Sequence, residues 1–351
     1  MTTNKNTKKI KVGNIYIGGG EPITVQSMLN VPAHDIKGNV LQAAALEKSG
    51  CDIIRVSVPD SEAVKTVIAL KENISVPIVA DIHFDWRIAL MCADVGVDKI
   101  RINPGNIGDD DKVKEVVKKC REKSIPIRVG VNSGSVNKDI LAKYGKASAR
   151  ALFESGLYHI NLLRRFDFYD TVLSLKSSDV QTMYDAYVLA AENIDCPLHL
   201  GVTEAGTYNS AVTKSAAGIG GLLLRGIGDT IRISVTGDPV SEVTAGKELL
   251  KSIGIRKNGV RFVSCPTCGR TEIDLIGLAT KAEEMFRDLD KDITVAIMGC
   301  VVNGPGEAAA ADIGIAGGKG CGVLFKKGKI IKSNIREDLL LKALSEEIEK
   351  L

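Results

Sequence analysis

The chain has 351 residues, 44% of them hydrophobic and 25% charged, which is the composition of a folded globular protein and excludes a disordered one. Its 46 basic and 43 acidic residues leave a formal charge of +3, too even for the broad positive field of a nucleic-acid or membrane-surface binder, so any anion site has to be local. Met1 to Lys11 is polar and lysine-rich with no apolar run behind it, and no stretch of ~18 apolar residues follows. The cytoplasm is the expected compartment, and the eight cysteines are expected there as thiols or metal ligands rather than disulfides.

The length suits a barrel of ~250 residues with a small partner domain. Lys9 to Gly20 reads as a hairpin. From Ile23 to about Ser252, short β-branched runs alternate with segments of helical period, which predicts eight βα units. The predicted strands are Ile23–Met28, Asp52–Val58, Pro77–His83, Lys99–Asn103, Ile127–Asn132, Asp170–Lys176, Pro197–Thr203 and Asp229–Val235. Eight such units favour a closed (β/α)8 barrel of TIM type over residues 1–252. Residues 253–259 form a short glycine-containing linker, and residues 260–351 a small α/β domain rich in glycine and cysteine. In that domain the pattern predicts strands at Val260–Val263 and Thr294–Met298 with a helix over Glu272–Leu289 between them. Short strands around Ile313 and at Gly322–Phe325 follow, then a final amphipathic helix from Arg336.

In a βα barrel the C-terminal ends of the strands face the active site. Here they supply Arg55, Asp81 and His83, Arg101 and Asn103, Arg128 and Asn132, Lys176, Glu204, and Arg232 with Ser234. Four arginines and a lysine exceed what a barrel core tolerates unpaired. The planar fork of arginine matches phosphate oxygens two at a time, which favours phosphate over a lone carboxylate, and a diphosphate would fit. The alternative is a structural network in which the cations pair with Asp81 and Glu204. Glu204 is a candidate general acid, or else an orienter of neighbouring cations. The run Asp81-Ile82-His83-Phe84-Asp85 alternates faces, so at most one set points into the mouth, and Asp81 with His83 offers too few ligands for a structural zinc.

Cys265-Pro-Thr-Cys268 lies just after a predicted strand, and the run Met298-Gly-Cys300-Val-Val-Asn-Gly-Pro-Gly-Glu307 adds a third thiol and a carboxylate. Thiolates on tight loops suit an iron–sulfur cluster or zinc. A structural zinc needs four thiolate or histidine ligands, and all four histidines precede Leu200, so zinc would have to recruit Cys321 or a carboxylate. Cys51, Cys92, Cys120, Cys196 and Cys321 read as small packing residues.

Together with Lys99-Ile-Arg-Ile-Asn-Pro-Gly-Asn106 and Arg128-Val-Gly-Val-Asn-Ser133, these cysteine motifs resemble those of the 4-hydroxy-3-methylbut-2-enyl diphosphate synthases of the methylerythritol phosphate route, in their short bacterial form. The resemblance spans the whole chain. It implies reductive opening of 2-C-methyl-D-erythritol 2,4-cyclodiphosphate with electrons delivered by flavodoxin or ferredoxin. It also implies a [4Fe-4S] cluster on Cys265, Cys268, Cys300 and Glu307, diphosphate contacts from Arg55, Arg101, Arg128, Asn132 and Lys176, and Glu204 as acid. Arg232 is added from its strand-end position alone. Two rivals are a pterin- or phosphosugar-binding barrel with a zinc-stabilised tail and an iron or oxygen sensor with a labile cluster.

Each barrel helix runs back from the active face, so the eighth delivers the chain to the opposite face, and a short linker cannot lead the cluster domain around to the mouth. The expectation is a head-to-tail homodimer in which each cluster domain closes over the partner's barrel.

Overall fold

A hairpin of β1 (Ile10–Val12) and β2 (Ile15–Ile17) opens the fold of this computed structural model, which describes residues 7–257, 259–287, 289–301 and 304–351. Eight parallel strands follow: β3 (Thr24–Met28), β4 (Ile53–Ser57), β5 (Ile78–Asp81), β6 (Lys99–Ile102), β7 (Ile127–Asn132), β8 (Thr171–Lys176), β9 (His199–Leu200) and β10 (Thr230–Ile231). Their order is β8-β7-β6-β5-β4-β3-β10-β9, and a parallel bridge between Leu173 and Leu198 joins the two ends into a ring. The expected eight-stranded barrel is therefore present. β9 and β10 are two residues long where seven were expected, because the ladder lapses around Gly201 and after Ile231.

Aspartates start many of the helices. Asp35, Asp109, Asp179 and Asp238 each accept a backbone N–H of the first turn, and Pro239 follows Asp238 at the first helical position. Strand residues that point outward, such as Ile54, Ile78, Ile100, Val129 and Leu173, join the helices in one apolar shell. At the barrel floor Ile10, Val12 and Ile17 of the hairpin pack on Ile53, Val79 and Val172, the inward residues at the N-terminal ends of β4, β5 and β8. Strand alternation then turns Arg55, Asp81 and Ser174 inward one layer higher.

The chain divides into two compact units, the first ending at Ile255 and the second running from Arg256 to Leu351. The second is a five-stranded sheet in the order β11 (Val260–Ser264), β12 (Ile293–Met298), β13 (Ile313–Gly318), β14 (Cys321–Lys326), β15 (Lys329–Arg336). The first three strands are parallel and the last two antiparallel. The helix Leu275–Phe286 crosses from β11 to β12 and starts three residues later than expected, where Asp274 caps it. The final helix is Leu340–Ile348, not a helix from Arg336, because Lys329–Arg336 pairs with β14 as an edge strand. That strand is mostly exposed and lysine-bearing, so it lacks the apolar alternation that announces a strand while carrying the charge that protects an edge. No helix of the described residues is long and apolar enough to cross a membrane.

Candidate functional site

The inward positions of the barrel's upper half are mostly cationic. Asp81, at the end of β5, is fully buried and takes Arg55 from β4 on Oδ2 and Arg101 Nη1 from β6 at 3.1 Å on Oδ1. His83 Nε2 also lies 3.2 Å from Asp81 Oδ2. Burial alone would raise the Asp81 carboxyl, but Arg55, the His83 hydrogen bond and Arg101 outweigh it and hold the group well below the carboxylate range. Burial also pushes Arg55 down to about 10 despite Asp81.

Arg128 is 1% exposed and sits second in β7, level with Arg101 rather than at the strand end. Its one hydrogen bond among the described residues is the long Nη1 contact to Gln26 Oε1, and its Nε has none. Lys176 ends β8, 7% exposed. Burial first, then neighbouring arginines, push both groups well below their usual values. Asn132 caps the short turn Ser133–Ser135 at the end of β7.

Arg232 differs from the others because it has a carboxylate of its own. Its Nε and Nη2 fork onto Glu242 at 3.0 and 2.9 Å. Glu242 is 2% exposed and also accepts Ser27 Oγ at 2.7 Å and the Val235 N–H at 3.0 Å. Glu204 follows β9 on an exposed loop with φ of 52°, a left-handed conformation unusual for a residue with a side chain.

Sequence reasoning overlooked four contributors. Glu242 was invisible because an acid in a helix's first turn reads as an ordinary dipole partner. Lys99, fully buried in β6, was quoted in a motif and given no role. Gly130 stands at an inward position of β7 and Gly201 just beyond β9: a Cβ would meet Arg101 Nε at 2.6 Å on the first and Lys176 Nζ at 2.8 Å on the second. Mid-strand glycine flanked by inward cations was the available signal.

In the second unit Cys265 directly follows β11 and Cys300 follows β12, the neighbouring parallel strand, so the sheet brings both loops together. The Gly299 N–H donates to Cys265 Sγ at 3.2 Å, and the Glu272 N–H reaches Gly299 O at 3.3 Å. Cys268 is exposed and Cys265 and Cys300 half-buried. Arg270, another residue without an assigned role, hydrogen-bonds Cys268 and feels the charges of Cys300 and Glu307, which together raise its own pKa. Arg270 in turn lowers the Cys268 thiol, through its backbone N–H first and then its side chain. Val302 and Asn303 of the motif lie outside the described residues. Among the described residues no three histidine, cysteine or acidic side chains converge as the ligand shell of one ion. A three-thiol, one-carboxylate set spread over two adjacent loops, with N–H and guanidinium donors beside the sulfurs, fits a multi-iron cluster by its donor chemistry. Cys51, Cys92, Cys120 and Cys196 are buried, and burial pushes each thiol up to about 12.

A βα barrel with more buried cations than buried carboxylates, followed by a thiol-bearing α/β unit, defines the class as a two-unit barrel protein. Comparison with known proteins gives the family: residues 7–247 match the GcpE TIM-barrel domain and residues 261–350 the GcpE protein C-terminal domain. The chain is 55% identical to the 4-hydroxy-3-methylbut-2-en-1-yl diphosphate synthase (flavodoxin) of Clostridium perfringens, covering 96% of both chains. It is also 55% identical to the one from Caldanaerobacter subterraneus, over 99% of this chain and 98% of that one, and 54% identical to the one from Fusobacterium nucleatum, over 98% of each. The chain belongs to the 4-hydroxy-3-methylbut-2-en-1-yl diphosphate synthase family. The zinc-stabilised barrel and the sensor find no support among these relatives. Likeness in fold alone extends to 3-dehydroquinate dehydratase from Geobacillus kaustophilus, at a TM-score of 0.52 and 15% identity over 72% of this chain and all of that one.

Proposed function

We propose that this chain performs the two-electron reductive ring opening and dehydroxylation of 2-C-methyl-D-erythritol 2,4-cyclodiphosphate, giving (E)-4-hydroxy-3-methylbut-2-enyl diphosphate for isoprenoid precursor synthesis. The observation that carries the reading is the charge imbalance in the upper barrel: among the described residues Arg55, Arg101, Arg128, Lys176 and Arg232 face only two buried carboxylates, Asp81 and Glu242. A diphosphate supplies the missing negative charge.

Arg55, Arg101, Arg128, Asn132 and Lys176 bind the diphosphate in this reading, and Arg232, fixed by Glu242, flanks it. Glu204 gives its proton to the departing hydroxyl, which leaves as water. Cys265, Cys268, Cys300 and Glu307 hold a [4Fe-4S] cluster, and Arg270 with the Gly299 N–H supports the sulfurs. When bound, the cluster supplies the two electrons one at a time. Flavodoxin is the electron donor named for the relatives, and ferredoxin is the equivalent choice. The protein works in the cytoplasm.

The assembly is a head-to-tail homodimer. Within the barrel unit the last helix, Pro239–Ser252, has its start beside Ser27 near the top of β3, while Lys247 reaches Ser49 O before β4 at the bottom. The chain therefore leaves the barrel on the face opposite the cations.

The deciding experiment is an anaerobic single turnover: reconstitute the protein with iron and sulfide, reduce it, add the cyclodiphosphate and quantify product while following cluster absorption. Product formed with matching cluster reoxidation is expected. A sound cluster that yields no product would overturn the reaction, and a protein that assembles no cluster would overturn the cofactor. For the dimer, subunits lacking Cys300 mixed with subunits lacking Arg128 regain activity; verified mixed dimers that stay inactive would refute the shared site.

A further inference from the structure

The cations assigned to the diphosphate are not the lowest in the barrel. Lys99 opens β6 two residues before Arg101, so its side chain enters the same interior one layer below. It is fully buried, and its Nζ meets no hydrogen-bond acceptor among the described residues. Gln26 Nε2, Arg128 Nε and His199 Nε2 are buried polar atoms in the same interior that find no hydrogen-bond partner among the described residues. A fully buried ammonium with no acceptor is a costly arrangement that a fold keeps only with compensation.

Among the described residues the charged and titratable groups around Lys99 supply no anion. Arg128 from β7 repels it, and His199 from β9 feels both cations. His199 is held well below its usual value by burial and then Arg128, and its Nδ1 faces Thr230 Oγ1. Higher in the barrel lie Arg55, Arg101 and Lys176, and the Asp81 carboxylate there is already shared by the first two. Burial, then Arg128, push Lys99 down to about 7, so near neutrality it is divided between amine and ammonium.

We propose that Lys99 is a positioning residue of the diphosphate site, taking a proton from solvent when the dianionic ligand binds and holding that ligand from beneath through the added charge. The inference rests on the function proposed above. A doubly negative ligand at the mouth reverses the field that Lys99 experiences, and a buried site does not screen that field as water does. The ammonium becomes the favoured form. Below about pH 6 Lys99 is already charged and binding takes up nothing; above about pH 7 binding draws in a proton, so affinity falls as pH rises further.

The cyclodiphosphate is itself a suitable probe, because each phosphate carries one strongly acidic oxygen and neither titrates near neutrality. Calorimetric titration into the oxidised holoenzyme without reductant, at about pH 8 in buffers of differing ionisation enthalpy, reads the protons taken up. The native protein is expected to take up between about half and one proton per site. Lys99→Met is expected to take up nearly none and to bind roughly tenfold more weakly. Lys99→Arg, whose guanidinium stays charged, is expected to bind without uptake, and it carries the test alone if Lys99→Met does not fold. Binding without uptake in the native protein overturns the inference. So does uptake that persists in the variants, which would assign the proton to Lys176 or His199. A native protein that does not bind the ligand at all fails the proposed function instead.

Discussion

Arg128 reaches across the barrel to Gln26, Nη1 to Oε1 at 3.5 Å, from a strand four places away in an eight-strand ring. Barrels of this kind ordinarily fill that layer with branched apolar side chains. Here the lower inward positions include Arg128, Gln26, Lys99 and His199 beside the apolar Ile53, Val79 and Val172 that meet the hairpin. These polar groups form the base of the proposed anion site, and among the described residues they include no carboxylate.

Gly130→Ala tests that base without removing any cation. The new methyl would stand 2.6 Å from Arg101 Nε, and Arg101 also donates to Gly130 O at 3.3 Å. Arg101 must therefore turn away from Asp81. Ligand affinity is expected to fall about 10-fold to 100-fold, the loss of a charged hydrogen bond, with folding little changed. An unaltered Kd for the cyclodiphosphate would remove Arg101 from the set of contacts.

Glu204 separates chemistry from stability. Glu204→Gln keeps the shape and loses the acid, so turnover should drop about 10²-fold or more while ligand binding stays within a few fold. Glu204→Gly relaxes the backbone at φ of 52° and is expected to leave stability unchanged or raise it by up to about 1 kcal/mol in urea unfolding, with activity lost. Full turnover by the glutamine variant would end the acid role.

Thiol reactivity should divide seven of the eight cysteines by location. In cluster-free protein, iodoacetamide followed by peptide mapping is expected to modify Cys268 first, then Cys265 and Cys300, since thiolates react and Arg270 favours the Cys268 thiolate. Cys51, Cys92, Cys120 and Cys196 should stay unmodified while the fold persists. Loading the cluster should protect the first three alone, and equal labelling with and without iron would argue against them as ligands.

Asp229 gives the barrel a pH-dependent weak point. Burial raises its carboxyl to about 6, offset in part by hydrogen bonds from the Leu198 N–H and the Thr7 hydroxyl. Because the folded value lies above the unfolded one of about 3.9, the folded state binds the proton more tightly. The stability it contributes is present below about pH 4 and is lost as pH rises through 6, on the order of 2–3 kcal/mol. Urea unfolding of the native protein and Asp229→Asn between about pH 4 and 7 should show that slope in their difference. A flat difference would contradict it.

The eight βα units were legible because each leaves a local signature: β-branched runs of period two, helices of period 3.6 and aspartates at the helix starts. The cysteine loops were legible for the same reason, as ligand spacing is written along the chain. The lengths of β9 and β10 and the edge strand Lys329–Arg336 were not legible, since both depend on what the neighbouring strand offers rather than on their own pattern.

The sequence by itself determined which residues could carry charge, metal or a turn, and hence the family of the protein. Tertiary structure alone decided the pairing of those charges. Glu242 meets Ser27 across 215 positions only when the barrel ring closes, and the same carboxylate pairs with Arg232, while among the described residues Arg128, Lys176 and Lys99 keep no carboxylate partner. Periodicity is set by neighbours along the chain, whereas the energy of a buried charge is set by whatever the completed fold places beside it.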